Sequence, residues 1–86
     1  MQDQPQWWEW ELEISPHLVK RMIDRSFSEL DLRTMLEHPK DRRPDTVDGR
    51  WVIGTTYRRQ RWEVVVEPDL RARRLVVITA YPCWGS

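Results

Sequence analysis

The sequence predicts an α+β domain: a strand at the N-terminus, two helices, then a three-stranded antiparallel meander, with both helices on one face of the sheet. Three observations carry this expectation. Apolar residues alternate with glutamates over residues 7–14, and apolar residues recur at helical spacing over residues 16–36. Beyond Gly49, three stretches rich in β-branched and aromatic residues follow one another with short polar breaks. A run of helices followed by a run of strands is the pattern of α+β architecture.

Each element has a local reason. WWEWELEI (7–14) sets Trp8, Trp10, Leu12 and Ile14 against Glu9, Glu11 and Glu13, the period of a strand with one buried face. Ser15 offers a side-chain oxygen to open amide groups, and Pro16 suits the first helical position, where its missing N–H costs nothing. In the helix that starts there, Leu18, Val19, Met22 and Ile23 form the apolar side and His17, Lys20, Arg21, Asp24 and Arg25 the polar side. On that wheel His17 lies opposite the centre of the apolar face. A second helix starts at Ser28, with Asp31 as the reciprocal cap and Phe27 packing on Leu32 across the entry; Ser26 with Glu29 is a competing capping pair. Leu32, Met35 and Leu36 form its apolar side, and Pro39 ends it after His38, whose position in the last turn suits a positive charge. KDRRPDTVDG (40–49) reads as a polar connection closed by Asp48 and Gly49. RWVIGTTY (50–57), RWEVVVE (61–67) and RRLVVITAY (73–81) then read as strands joined by RRQ and PDLRA.

Composition narrows the class of protein. The 86 residues make one domain, with a core over 7–82 and a short tail over 83–86. With 40% apolar and 33% charged residues, and no stretch near the roughly 18 apolar residues of a span, no membrane association is expected. The N-terminus lacks the features of a secretory signal, and the lone Cys83 cannot form an internal disulfide, so a cytoplasmic location is expected. His17, His38 and Cys83 are scattered and never at zinc spacing; neither a metal nor another cofactor is expected. Net charge is zero, but residues 1–41 hold 5 Lys+Arg against 9 Asp+Glu, and residues 42–86 hold 9 against 5. All nine cations of the second part are arginines, whose planar fork suits phosphate oxygens.

The strand patterns nominate a polar sheet face. In the middle strand Trp62, Val64 and Val66 point one way and Glu63, Val65 and Glu67 the other. The last strand alternates Leu75, Val77, Thr79 and Tyr81 with Val76, Ile78 and Ala80, so Thr79 and Tyr81 join Glu63 only if they point away from the helices. In that register the open face gathers Arg50, Thr56, Arg58, Glu63, Thr79 and Tyr81. Such a set fits metal-free RNA cleavage, which needs a base for the 2′-hydroxyl, cations for the growing phosphate charge and a donor for the leaving oxygen. His17 is the candidate acid or base and Glu63 an alternative base. Tyr81 is a candidate proton donor, Thr79 positions substrate, and Arg21, Arg50 and Arg58, with Arg59 beside them, bind phosphate. Each nomination has a plain rival: Glu63 as a surface carboxylate paired to an arginine, Thr79 and Tyr81 as packing residues, and the tryptophans at 7, 8, 10, 51 and 62 as core rather than base-stacking groups. The His17, Arg21, Arg25 stripe reads either as solvated surface or as one wall of a groove against the sheet edge.

ISPHLVKRMIDRSFSELDLRTMLEHP, followed by GRWVIGTTYRRQRWEVVVEPDLRARRLVVITAYP, resembles a family of small bacterial domains of unknown function. That family is grouped with RelE-type toxins and, more broadly, with the barnase, EndoU, colicin and RelE nuclease superfamily. The family's first-helix pattern is met by Ser15, His17, Arg21, Met22 and Arg25, and its closing VVxTAYP by Val76, Val77, Thr79, Ala80, Tyr81 and Pro82. The resemblance implies a RelE-like order of elements and RNA as substrate. The leading expectation is therefore a toxin-like endoribonuclease acting through the RNA's own 2′-hydroxyl. The alternatives are a noncatalytic module that binds an antitoxin-like protein or a nucleic acid, and a homodimer paired through WWEWELEI at a sheet edge.

Overall fold

A computed structural model describes residues 6–83. A 3-10 turn, Gln6–Glu9, leads into β1 (Glu11–Ile14), α1 (Pro16–Arg25), α2 (Glu29–Glu37), β2 (Pro39–Pro44), β3 (Trp51–Tyr57), β4 (Gln60–Asp69) and β5 (Arg74–Pro82). The strands form one sheet in the order β1-β5-β4-β3-β2; β1 runs parallel to β5 and every other pair is antiparallel. This is the expected α+β class, with three differences of detail.

The meander has four strands rather than three. Residues 39–44, PKDRRP, carry the charges and prolines that mark an exposed edge strand, so they resemble a loop even while pairing with β3 from Pro39 against Thr55 to Pro44 against Trp51. The second difference lies at the N-terminus, where only Glu11–Ile14 is strand and the tryptophans before it are wound up. In an extended chain Trp7 would point away from the buried face. The turn instead lets Trp7 and Trp8 both pack on the core, with Trp7 6.2 Å from the Trp51 ring.

Both helices lie on one sheet face, because a single cluster joins Leu18 of α1 and Leu32, Met35 and Leu36 of α2 to Ile53, Val64, Val66, Leu75, Val77 and Ala80 of β3, β4 and β5. Burying each such aliphatic side chain contributes about 1.5–3 kcal/mol. The tryptophans 7, 8, 10, 51 and 62 all pack against this cluster. The capping box of α2 forms as expected, with the Ser28 amide donating to Asp31 Oδ2 at 2.7 Å and the Asp31 amide donating to Ser28 Oγ at 3.3 Å. Among the described residues no helix is long and apolar enough to cross a membrane.

α1 is rotated from its expected setting. Leu18 is buried and Met22 half-buried, but Val19 is 47% and Ile23 76% exposed. Arg25, nominally on the wet side, donates from Nη1 to the Ala80 carbonyl at 3.0 Å. The buried centre of the helix is thus displaced by roughly 60° toward the Arg21 and Arg25 side. Of the stripe that includes His17, Arg25 reaches the outer edge of β5.

A candidate functional site on the outer rim of β5

The decisive local feature is a β-bulge. Val66 pairs with Val77 but Val65 pairs with Thr79, so Ile78 is an extra residue with no partner on β4. Before it, Leu75 and Val77 face the helices. After it, the phase of the strand has shifted by one, so Ala80 is in the core and Thr79 and Tyr81 face away from the helices, opposite Val65 and Glu63. Simple alternation could not place Leu75 and Val77 inside and Thr79 and Tyr81 outside at once; one inserted residue does.

The bulge lies where β1 has ended, so the outer edge of β5 needs other partners. α1 supplies them. The Ser15 amide donates to the Val77 carbonyl at 3.1 Å, and Ser15 Oγ donates to the Ile78 carbonyl at 2.7 Å while accepting from the Leu18 amide at 3.1 Å. Arg25 takes the Ala80 carbonyl. Ser15 and Arg25 therefore hold the two ends of α1 against β5. His17 and Arg21, between them, are exposed, and their side chains form no hydrogen bond or ion pair with any other described residue.

On the helix-free face, Tyr81 donates its hydroxyl hydrogen to Glu63 Oε1 at 2.8 Å. Arg43 Nη2 donates to Glu63 Oε2 at 3.1 Å, and Arg61 Nη2 stands 3.6 Å from the same oxygen and 3.1 Å from Asp41 Oδ2. Burial alone would raise the Glu63 pKa, but the Tyr81 hydroxyl and the two guanidiniums outweigh it and hold the carboxyl below its ordinary value of 4.5. Burial and the Glu63 carboxylate push Tyr81 up to about 12. The phenol is thus a protonated, oriented donor at neutral pH. Gly54 is the floor of this network: a Cβ there would overlap the Asp41 carboxylate and the Arg61 guanidinium.

Tyr81 also lines a cleft of about 590 Å³ at the C-terminal end of α1, together with Arg25, Ser26, Phe27, Tyr57, Arg58, Gln60, Trp62 and Pro82. Phe27 meets Trp62 edge to face at 5.4 Å. The Tyr57 hydroxyl is hydrogen-bonded to Asp31, and the Arg58 guanidinium lies 5.1 Å from the Tyr57 ring centroid. The Tyr57 and Ser28 bonds hold Asp31 below its ordinary value of 3.8. The lining contains two arginines and no carboxylate.

The nominated residues separate into groups. Glu63, Thr79 and Tyr81 share the open face, and Tyr81 joins that face to the cleft holding Arg58. Arg58 is at the turn and leans on Tyr57, so it does not stand on the open face where alternation put it. Arg50 is on the open face but at the opposite end of β3, paired with Glu67 at 2.9 Å. It is roughly 20 Å or more from Arg58, too far for both to clamp one phosphate. His17 follows Ser15 by two residues in sequence, stands about 12 Å along the α1 axis from Arg25 and is not part of the cleft lining. The sequence does not single out residues 41, 43 and 61, nor Phe27 and Gln60, as site residues; Trp62 it offers either as core or as a base-stacking group. Arg43 and Asp41 were hidden by the loop-like composition of β2; the turn dipeptide Arg58 and Arg59 pointed to the cleft without its walls.

A family model described as Domain of unknown function (DUF4258) matches residues 14–82. No curated protein and no solved structure matches the chain.

Proposed function

The chain belongs to the DUF4258 domain family, and we propose that it is a cytoplasmic, RelE-like endoribonuclease that cuts RNA by attack of the 2′-hydroxyl. The observation that carries this reading is Tyr81, a phenol oriented by Glu63 and shared between an arginine-bearing sheet face and a cleft lined by Arg25 and Arg58, of which only Arg58 meets a carboxylate among the described residues, Asp31 at 3.7 Å. In the proposed step the 2′-oxygen attacks phosphorus and passes its proton to His17, while the bond from phosphorus to the 5′-oxygen breaks. The Tyr81 hydroxyl hydrogen turns from Glu63 to the leaving oxygen, which breaks the bond to Glu63 and takes the proton, and the phenolate is reprotonated by solvent. Arg21 and Arg25, on the α1 rim, and Arg58, in the cleft, face the phosphate charge that grows in the transition state. Glu63, with both oxygens engaged, acts as the positioning residue for Tyr81 and not as the base. The route requires no metal ion.

The test is transcript mapping and in vitro cleavage of single-stranded and ribosome-bound RNA. Wild type should cut, His17→Ala should lose about 100-fold or more, and an all-2′-deoxy copy of the substrate should survive intact. RNA left whole by the wild-type protein in both settings would defeat the reading.

One observation supports a noncatalytic module instead. On the open face Arg43, Arg50 and Arg61 are each paired with a carboxylate, so that face offers no net positive charge and suits an antitoxin-like protein partner better than RNA. In that reading, binding to a polyanion is absent at all salt concentrations.

A further inference from the structure

We infer that the cleft at the C-terminal end of α1 is a recognition pocket for one unstacked base of single-stranded RNA, with the adjoining phosphate held by the β3–β4 turn. The inference rests on the ribonuclease reading for its biological setting, but the pocket stands on its own geometry.

Three features meet there. The walls are aromatic: Phe27 and Trp62 pack edge to face and Tyr57 stands in the same lining, which offers ring surfaces to a base. The mouth is cationic. Arg25 spends one nitrogen on the Ala80 carbonyl, and Arg58 has only a 3.7 Å approach to Asp31, a carboxylate already engaged by Tyr57 and Ser28. Gln60 adds an acceptor to the lining. Gln60 uses Nε2 for the Cys83 carbonyl at 2.6 Å and the Arg61 carbonyl at 3.4 Å, which leaves Oε1 for a base N–H. At about 590 Å³ the cleft has room for a base with its sugar.

The turn that carries the mouth is costly. Arg58 and Arg59 have φ of 52° and 64°, the left-handed region that a two-residue hairpin turn requires and that asparagine and glycine fill far more cheaply. Two arginines held in this conformation are a local expense on stability, of the kind that accumulates where a ligand is bound.

The pocket differs from the open face in what it does to charge. A phosphate at the mouth meets Arg25, which has no carboxylate partner among the described residues, and Arg58, whose approach to Asp31 is long at 3.7 Å; at Arg43 or Arg61 it must break an ion pair of 3.1 Å. The test uses a fluorescein-labelled 2′-O-methyl hexanucleotide, which binds but cannot be cut, measured by anisotropy against salt. Arg58→Ala should weaken binding about fivefold and lower the slope of log Kd on log salt by about one. Gln60→Ala should alter preference among homopolymer probes, and Arg43→Ala should change the affinity less than about twofold, removing a cation already paired with Glu63. A 4-thiouridine probe should crosslink to Phe27, Tyr57 or Trp62.

Crosslinks confined to Trp7, Trp8 or Trp51, or Arg58→Ala and Gln60→Ala proteins that bind every probe as wild type does, would overturn the pocket. The two readings fail separately. Probe capture in the cleft by a protein that cuts no RNA removes the nuclease and keeps the pocket; RNA cleavage that is lost in Tyr81→Phe, by a protein whose 4-thiouridine crosslinks all lie outside the cleft, does the reverse.

Discussion

The open face of the sheet and the cleft beside it share Tyr81 but treat charge in opposite ways. On the face, Arg43, Arg61 and Arg50 are matched with Glu63, Asp41 and Glu67. In the cleft, Arg25 and Arg58 line a wall with aromatic neighbours, Arg25 with no carboxylate partner among the described residues and Arg58 with only a 3.7 Å approach to Asp31. A balanced network orients groups, since each member is held by an opposite charge, whereas unbalanced cations next to rings attract and bind. The contrast assigns positioning to the face and capture to the cleft, and Tyr81 is where the two meet.

The sharpest way to break this division is Tyr81→Phe, which removes the hydroxyl and leaves the ring. Cleavage should fall about 100-fold or more, while affinity for the uncleavable hexanucleotide should stay within about twofold of wild type, a pair of outcomes read by single-turnover kinetics and anisotropy. Equal losses in both would mean that face and cleft are one site. The next effect in size is on stability. Ser15→Ala forfeits the α1 cap and the bond to the Ile78 carbonyl, and urea unfolding should show a loss of about 1–3 kcal/mol.

Titration separates the tyrosines. Tyr81 is raised from its ordinary value of 10.0 to about 12, so the stability it contributes is complete below about pH 10 and is lost as pH rises through about 12. Glu63 and Asp31 are lowered, so their contribution is present above the ordinary carboxylate range and is lost as acid protonates them in the folded protein. Glu63→Gln should bring the Tyr81 midpoint down toward 10.0 in a tyrosinate absorbance titration, with Tyr57, which answers to Asp31, unmoved. The smallest effect is a gain. Arg59→Gly should relieve the left-handed strain and add roughly 0.5–1 kcal/mol of stability in the same urea assay while weakening the hexanucleotide complex, a trade that a merely structural turn would not show.

The parts of the fold governed by local chemistry were legible from the residues. Ser15 and Pro16 start α1, Ser28 and Asp31 cap α2, and the β-branched runs after Gly49 are strands. What stayed hidden was set by pairing. β2 is composed like a loop and is a strand only because β3 offers it an edge. β4 runs on through Pro68 to Asp69, past the end of β3, where the missing N–H of proline has no β3 partner to lose. α1 turned away from the setting its own wheel implied because β5 offered carbonyls to Ser15 and Arg25, at the cost of exposing Val19 and Ile23. The site was half visible for the same reason. Glu63, Thr79 and Tyr81 could be nominated from alternation, but whether they met depended on an insertion in the ladder that no periodicity displays.

That insertion makes residue count, more than residue identity, the guarded property of the last strand. An aliphatic swap at Ile78 leaves the frame of β5 intact, whereas deleting Ile78 would rejoin the two halves in one phase. The hydroxyls of Thr79 and Tyr81 would then be driven under the helices, or Leu75 and Val77 driven out to water. Either outcome would show as lost near-ultraviolet dichroism from the buried aromatics. Lineages of this domain are therefore expected to tolerate many letters at this position and almost no gaps.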